Sequence, residues 1–410
     1  MKVKRVERHQ IKSDEAIDQI CFKSKNLYNK ANYLVRQRFI ETSKKVEQGT
    51  REHAEWIRYN ELDKVCKQEN WIEYRDLPAQ TAQQTLKLLE KNWKSFFKSI
   101  KEWKKRPDKF KARPKLPAYK HKEKGRNIAI FTNQQIKLKN GYIHFPKSSH
   151  LKPVKTKVQN GLQQVRIVPS YSTYTIEIVY QKEVQPKENL DQTKYLSIDL
   201  GVNNISAIVS NDTSMKPLII NGRPLKSINQ YFNKEKGKLM SYIGDKGTSK
   251  RIEKLTHKRN NKINDFMHKT TKMIIDYALE NNIATIVIGK NDGWKQEIEI
   301  GKRNNQNFVQ IPFNKLIEQV EYKSEEEGIT VKSQEESHTS KVDHFANETI
   351  EHHDKYLGKR IKRGLFKSST GKIINADING SIGILKKAVP NAFADGIEAL
   401  GLTPLKVVPL

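Results

Sequence analysis

The sequence predicts a multidomain α/β plus β-barrel protein, in which a small barrel interrupted by helices precedes an α/β layer. Three observations carry this expectation. Residues 13–99 place apolar side chains at helical spacing, residues 126–182 break into short alternating strands with polar turns, and strands alternate with helices from residue 195 onward. With 410 residues, 36% of them apolar, the chain has room for about two to three domains with ordinary cores.

The first element is a short strand at Lys2–His9. Ile17, Ile20, Cys21, Leu27, Tyr28, Ala31, Leu34, Val35 and Phe39 then mark a helical region, which Leu77-Pro78 breaks. A second long helix follows, with Ala82, Leu86, Leu89, Trp93, Phe96, Phe97 and Ile100 at spacings of three and four. Strands are expected at 128–131, 136–138, 142–145, 164–168 and 174–180, and Asn140-Gly141 between two of them signals a hairpin. Such strands make a small barrel or sandwich. If Lys2–His9 supplies its first strand, the helical region is an insertion within it.

Glu183–Thr193, polar and containing Pro186, marks a boundary. Beyond it, strands are expected near 195–199, 205–209, 217–220, 284–288 and 329–333. Helices are expected at Ser249–Glu280 and at about 314–327.

The charge balance identifies the class of partner. Lys+Arg number 76 against 46 Asp+Glu, a formal charge of +30, which a small-molecule enzyme does not need and a polyanion would neutralise. The densest stretch runs from Lys91 to Gly125. It includes Lys98, Lys104, Lys105, Arg106, Lys111 and Arg113, with Trp93, Trp103, Phe110 and Tyr119 interspersed, a combination suited to phosphate contact and base stacking. Only Cys21 and Cys66 occur, so neither a disulfide framework nor a cysteine zinc site is expected, and a reducing cytoplasm fits. The N-terminus has no apolar core of a leader, and no run reaches the roughly 18 apolar residues of a membrane span.

The chemistry-bearing segments lie in the last domain. Tyr195-Leu196-Ser197-Ile198-Asp199-Leu200-Gly201 ends an apolar run in an aspartate and turns at once, as a ribonuclease-H-like sheet presents a metal-binding carboxylate. Ile373-Ile374-Asn375-Ala376-Asp377-Ile378-Asn379-Gly380 supplies a second carboxylate and can open a helix that brings Asp377 to the same pocket. Phosphodiester hydrolysis at such a site uses hard divalent cations, Mg²⁺ or Mn²⁺, on oxygen ligands. Between these segments the apolar strand Ile283–Ile288 runs into Gly289, where a third carboxylate is expected. In the long basic helix, Phe266, Met267, Thr270, Met273, Ile274 and Tyr277 form a core stripe. Lys254, His257, Lys258, Arg259, Lys262 and Lys269 dominate the exposed turns and suit a nucleic-acid backbone, with Asp265 as a local salt-bridge partner. Trp294 reads as a packing anchor.

On these residues the chain resembles the TnpB proteins of bacterial insertion sequences, relatives of type V CRISPR effectors. The resemblance covers essentially all 410 residues. It rests on Ser197-Ile198-Asp199-Leu200-Gly201-Val202-Asn203-Asn204, on the helix with Arg259, Asn264, His268 and Lys269, on Thr339-Ser340-Lys341, and on Asn375–Gly380. It implies a wedge β-barrel (1–12 and 120–187), an inserted helical recognition lobe (13–119), and a RuvC nuclease domain (194–410) with a zinc-free loop at about 338–372.

Two departures from the family pattern stand out. Gly289 replaces the second catalytic glutamate, and Val342, Asp343, His344 and Phe345 follow Lys341 where zinc-binding cysteines are usual. Glu335 and Glu336 lie one strand over from Gly289, and strands about 4.8 Å apart leave a carboxylate there within reach of the same metal. His338, His344, His352 and His353, with Asp343 and Asp354, fit no spacing that fixes a zinc tetrahedron, and the basic arm Lys359–Gly364, with Arg360 and Arg363, suits nucleic-acid backbone.

The resemblance implies a cytoplasmic, nucleoid-associated RNA-guided DNA endonuclease that takes guide RNA from the insertion-sequence end and acts on double-stranded target DNA. Two-metal hydrolysis would use Asp199 as the bridge and Asp377 as a ligand, with Glu335 or Glu336 completing the set; Mg²⁺ or Mn²⁺ is expected and zinc is not. Gly289 favours an alternative, a nuclease-inactive RNA-guided repressor. A guide-independent resolvase or DDE transposase would need neither the helical lobe nor the barrel.

Overall fold

The computed structural model describes residues 1–12, 14–170, 173–244, 247–291, 301–394, 396–397, 400 and 403–409. The chain divides into two compact units, Lys2–Glu183 and Val184–Leu410 with Met1. Trp294 lies outside the described residues.

In the Lys2–Glu183 unit, β1 (Lys2–Lys12) precedes helices α1 (Glu15–Glu47), α2 (Tyr59–Gln68), α3 (Ile72–Arg75) and α4 (Ala79–Lys105). Asp14 caps α1, its carboxylate accepting the Ile17 N–H at 2.9 Å. Strands β2 (Ala129–Thr132), β3 (Lys137–Lys139), β4 (Tyr142–His144), β5 (Val154–Lys155), β6 (Leu162–Ser170) and β7 (Thr173–Glu183) follow. Lys2–His9 pairs along β7 as part of β1, so the helices do interrupt the β structure. The strands do not form one closed barrel among the described residues. They make two antiparallel sheets, β1-β7-β6-β2 and β3-β4-β5. Asn140 and Gly141 join β3 to β4 with φ of 51° and 73°, the doubly left-handed backbone that favours this dipeptide in a tight hairpin.

Trp93 is a correction. It is fully buried, stacked on Trp56 with ring centroids 6.0 Å apart, and so cannot stack on a base. Its helical spacing, which places it on the core stripe of α4, outweighs its basic neighbours.

The Val184–Leu410 unit is built on a six-stranded sheet. Its strands are β8 (Asp191–Asp199), β9 (Asn204–Ser210), β10 (Leu218–Asn221), β11 (Ile283–Gly289), β12 (Thr330–Gln334) and β16 (Leu405–Val407), in the order β12-β11-β8-β9-β10-β16. Between β10 and β11 run α5 (Arg223–Ser241) and α6 (Lys250–Glu280); α7 (Lys302–Gln310) and α8 (Phe313–Glu327) precede β12. A small sheet, β13 (Lys359–Lys362), β14 (Leu365–Lys367) and β15 (Ile373–Asn375), leads into α9 (Ala376–Ala388).

The alternation of side chains along the central strands decides which layer meets which. Leu196, Ile198, Ile286 and Ile288 pack with Phe266, Met267 and Ile274 of α6 and with Leu316, Ile317 and Val320 of α8. Val287 turns the other way, onto Ile384 and Leu385 of α9. Because both faces are covered, every residue of β11 is buried, which is why that strand reads as an unbroken apolar run. Ser197 faces α9, its Oγ donating to the Ser381 carbonyl at 2.8 Å. Asp199, two residues on, therefore ends its strand on the α9 side.

Candidate active site

Parallel pairing sets Ile198 of β8 against Ile288 of β11, and Gly289 of β11 against Gln334 of β12. Asp199, Gly289 and Gln334 thus stand in one row at the carboxyl ends of three strands, and α9 lies across that row. A Cβ built on Gly380 would come 2.6 Å from Asp199 Oδ2, and one built on Gly289 would come 2.4 Å from Ile384 Cδ1. Gly380 and Ile384, one helical turn apart, therefore cover neighbouring strand ends. Glycine at 380 is what lets the Asp199 carboxylate sit against the helix.

Asp377 enters from the first turn of α9. Asn375 caps this helix, its Oδ1 accepting the N–H groups of Asp377 at 2.9 Å and Ile378 at 3.3 Å. The Asp377 Oδ2 accepts from Asn204 Nδ2 at 2.7 Å. Asn204 is the first residue of β9, so the turn beginning at Gly201 brings the chain back to hold the second carboxylate.

The two glutamates after β12 part ways. Glu335 is exposed and turned outward, paired with Lys387 and accepting the Ser337 N–H at 2.7 Å; the Lys387 ammonium above all holds it down to about 2. Glu336 turns inward. Its Oε2 lies 2.7 Å from the point that a Cβ on Gly289 would occupy, and burial pushes its pKa up to about 7, with Glu335 adding to the effect. Burial, and after it the Glu336 and Asp377 carboxylates, hold Asp199 well above the usual carboxylate range, against a smaller pull from Arg360. Asp199, Glu336 and Asp377 are brought together electrostatically, and Glu335 is not.

This donor set suits a hard divalent cation by its chemistry. The oxygens are carboxylates in a confined space where their negative charges oppose one another, and a cation would relieve that repulsion. Among the described residues no three His, Cys, Asp or Glu side chains stand within joint chelating reach.

Beside Asp377 opens a cleft of about 570 Å³. Arg223, Arg360, Arg363 and Lys406 line it together with Asn204 and Asp377, so cations and amides stand next to the carboxylates. Sequence reasoning singled out Arg360 and Arg363, although as an arm rather than as part of β13 and its turn. It missed Arg223 and Lys406, for which the sequence holds no signal beyond the overall basicity.

The other basic candidates separate by surroundings. Lys98, Lys104, Lys105, Lys111 and Arg113 are exposed, with Arg113 over the Trp103 ring at 5.7 Å. Arg106 is exposed and paired with Glu102 at 2.8 Å, and Lys269 pairs with Asp265 at 3.0 Å. Arg259 differs from the exposed position expected for it. It is half-buried, and its guanidinium donates to Asn229 at 2.9 Å, Asn260 at 3.0 Å and the Gln310 carbonyl at 3.0 Å, bracing α5, α6 and the end of α7.

The loop after Thr339 is held by carboxylates bonded to backbone and hydroxyls. Asp343, fully buried, accepts from Ser368 Oγ at 2.9 Å, Ser369 N at 2.7 Å and Ser369 Oγ at 2.8 Å. Glu348 accepts the N–H groups of Asp343 at 2.7 Å and Leu357 at 2.9 Å. His344 is buried, its Nε2 donating to the Thr339 carbonyl at 2.8 Å.

A mixed sheet with carboxylates at its strand ends and a helix laid across them forms the core of the Val184–Leu410 unit. The chain is similar in fold to the cryo-EM structure of a Cas12f1–sgRNA–target DNA complex, with a TM-score of 0.50 and 14% identity over 89% of this chain and 82% of that one. Residues 177–295 match the family model OrfB_IS605, described as "Probable transposase", and residues 313–384 match that of the Cas12f1-like TNB domain. The chain is similar to TnpB-like and Cas12f proteins. It is 26% identical over 249 residues to the TnpB-like protein ORF457 of Acidianus two-tailed virus, covering 58% of this chain and 49% of that protein. It is 24% identical over 267 residues to the CRISPR-associated endodeoxyribonuclease Cas12f2 of a Micrarchaeota archaeon, covering 62% and 47%. The chain thus spans about half the length of these two curated relatives. No helix among the described residues is long and apolar enough to cross a membrane.

Proposed function

We propose that the protein is an RNA-guided DNA endonuclease whose third carboxylate, Glu336, has moved to the strand beside the usual one. The observation that carries this reading is the inward Glu336 carboxylate, lying over Gly289 and raising the pKa of Asp199. Asp199, Asp377 and Glu336 would hold Mg²⁺ or Mn²⁺, which when bound supplies an activated water and neutralises charge developing on the leaving oxygen.

The chain's own residues do the rest. Asp199 is fixed at the end of a buried strand, and Asp377 is fixed by the Asn375 cap and the Asn204 amide. Arg223, Arg360, Arg363 and Lys406 suit the phosphates of the strand entering the cleft, fixing its position without reading its sequence. Base pairing with a guide RNA would supply sequence choice, as the net charge of +30 and the exposed basic stretch at 98–113 support. Cleavage would leave a 5′ phosphate and a 3′ hydroxyl. Guide RNA from the insertion-sequence end and a cytoplasmic, nucleoid-associated location belong to the same reading.

The inactive-repressor reading draws on Gly289 alone. An abandoned site has no reason to keep Asp199, Asp377 and an inward glutamate together. The test is expression with flanking DNA, sequencing of copurified RNA, and plasmid cleavage programmed by that RNA in Mg²⁺. Cleavage abolished in Asp199→Ala, with RNA binding retained, is the expected result. Bound RNA without cutting by the wild type selects the repressor, and cutting without RNA selects a guide-independent nuclease.

A further inference from the structure

Glu336 is held by a residue just beyond the end of the neighbouring strand. Asn291 lies two positions beyond Gly289, and its amide closes a reciprocal pair with Glu336. Asn291 Nδ2 donates to Glu336 Oε1 at 3.3 Å, and Asn291 Oδ1 accepts the Glu336 backbone N–H at 3.1 Å. One carboxamide thus grips both the main chain and the carboxylate of the same residue. The other carboxylate oxygen, Oε2, occupies the room above Gly289. The Lys290 N–H donates to the Gln334 carbonyl at 2.8 Å and keeps the two segments in register. Residues 289–291 therefore locate the backbone and both carboxylate oxygens of Glu336.

We infer that Asn291 is a positioning residue for the nuclease reaction, orienting Glu336 toward Asp199 while Gly289 leaves the space for it. This rests on the reading of Glu336 as the third carboxylate and extends it. The chemistry is selective for a carboxamide. Aspartate at 291 could accept the backbone N–H but would offer no donor to Glu336 and would add a repelling charge; alanine would do neither. Partners that orient a metal-ligating carboxylate typically contribute about 10- to 100-fold in metal affinity or activity.

The test compares Asn291→Ala, the near-isosteric Asn291→Asp, and Glu336→Ala as a reference, each purified with its copurified RNA. Mn²⁺ binding is followed by the electron paramagnetic resonance of free Mn²⁺, and single-turnover cleavage and target-DNA binding are measured alongside. Asn291→Ala is expected to weaken both Mn²⁺ binding and cleavage by about 10- to 100-fold with target binding unchanged, and Asn291→Asp to do so at least as strongly. Wild-type Mn²⁺ affinity and cleavage in both Asn291 variants, with both abolished in Glu336→Ala, overturns the positioning role and spares the Glu336 reading. Wild-type cleavage in Glu336→Ala overturns that reading itself.

Discussion

Glu336 Oε2 lies 2.7 Å from the point that a Cβ on Gly289 would occupy, so the carboxylate from β12 fills the room that a side chain on β11 would need. The glycine that breaks the expected acidic pattern is thus the residue that makes room for the Glu336 carboxylate.

Gly289→Ala must displace Glu336 Oε2 or the fully buried Ile384, whose Cδ1 would be 2.4 Å away. Overpacking of this kind costs about 1–3 kcal/mol. Urea unfolding should report that destabilisation, and cleavage should fall at least roughly tenfold as Glu336 is pushed aside. An unchanged urea midpoint and cleavage rate would show that the two residues do not compete for space.

His344 makes stability depend on pH. Burial, more than the Lys386 ammonium, holds its pKa down to about 4, against about 6.5 when unfolded. Between those values the unfolded chain binds a proton that the folded one does not. The contribution is therefore fully present above about 6.5 and is lost as pH falls toward 4, by roughly 3 kcal/mol in all. Glu336, with its raised pKa, acts in the opposite sense over part of this window, so the comparison must be with His344→Gln. Urea midpoints measured from pH 7.5 to 5 should fall for wild type relative to this variant as the pH is lowered. Parallel slopes would contradict the assignment.

Asp343 carries the fold of the loop before α9. Asp343→Ala leaves the Ser368 and Ser369 donors without their acceptor, at a cost of roughly 1–3 kcal/mol. Hydrogen exchange across residues 359–375 should quicken, while a zinc chelator leaves the wild-type rates unchanged. Chelator-sensitive exchange would point to a metal in the loop.

The exposed basic stretch should set the salt dependence of RNA binding. Replacing Lys98, Lys104, Lys105 and Arg113 by alanine takes away up to four cations that can neutralise phosphates. For each phosphate no longer neutralised, the slope of log K against log salt should flatten by roughly 0.7–0.9. Arg106→Ala should have a smaller effect, because Glu102 already neutralises part of its charge. Titrations at several salt concentrations read both effects, and an unchanged slope in the fourfold variant would move the RNA elsewhere.

Much of this was legible in the sequence because local chemistry speaks directly there. Asn140-Gly141 announced its hairpin, the apolar run before Asp199 announced a strand, and the segment at 373–380 announced the helix opening that carries Asp377. What was hidden depends on residues far apart in the chain. Glu335 and Glu336 are indistinguishable in sequence; Lys387 and Ser337 on one side and Gly289 and Asn291 on the other separate them. Arg259 read as one more basic residue until Asn229 and the Gln310 carbonyl enclosed it. Helix α5 had a signal that went unused: Pro224 in its first turn, then Leu225, Ile228 and Phe232 at helical spacing. The short alternating strands left a small barrel or a sandwich open, and such a pattern does not reveal that β3-β4-β5 pair apart from β1-β7-β6-β2.

The relocated carboxylate is tested most directly by RNA-programmed plasmid cleavage in Mg²⁺ with Glu335→Gln and Glu336→Gln side by side. Glu336→Gln should lose cleavage as completely as Asp199→Ala, while Glu335→Gln, altered only where the side chain meets Lys387 and Ser337, should cut within a few-fold of wild type. Full cleavage by Glu336→Gln would contradict the account.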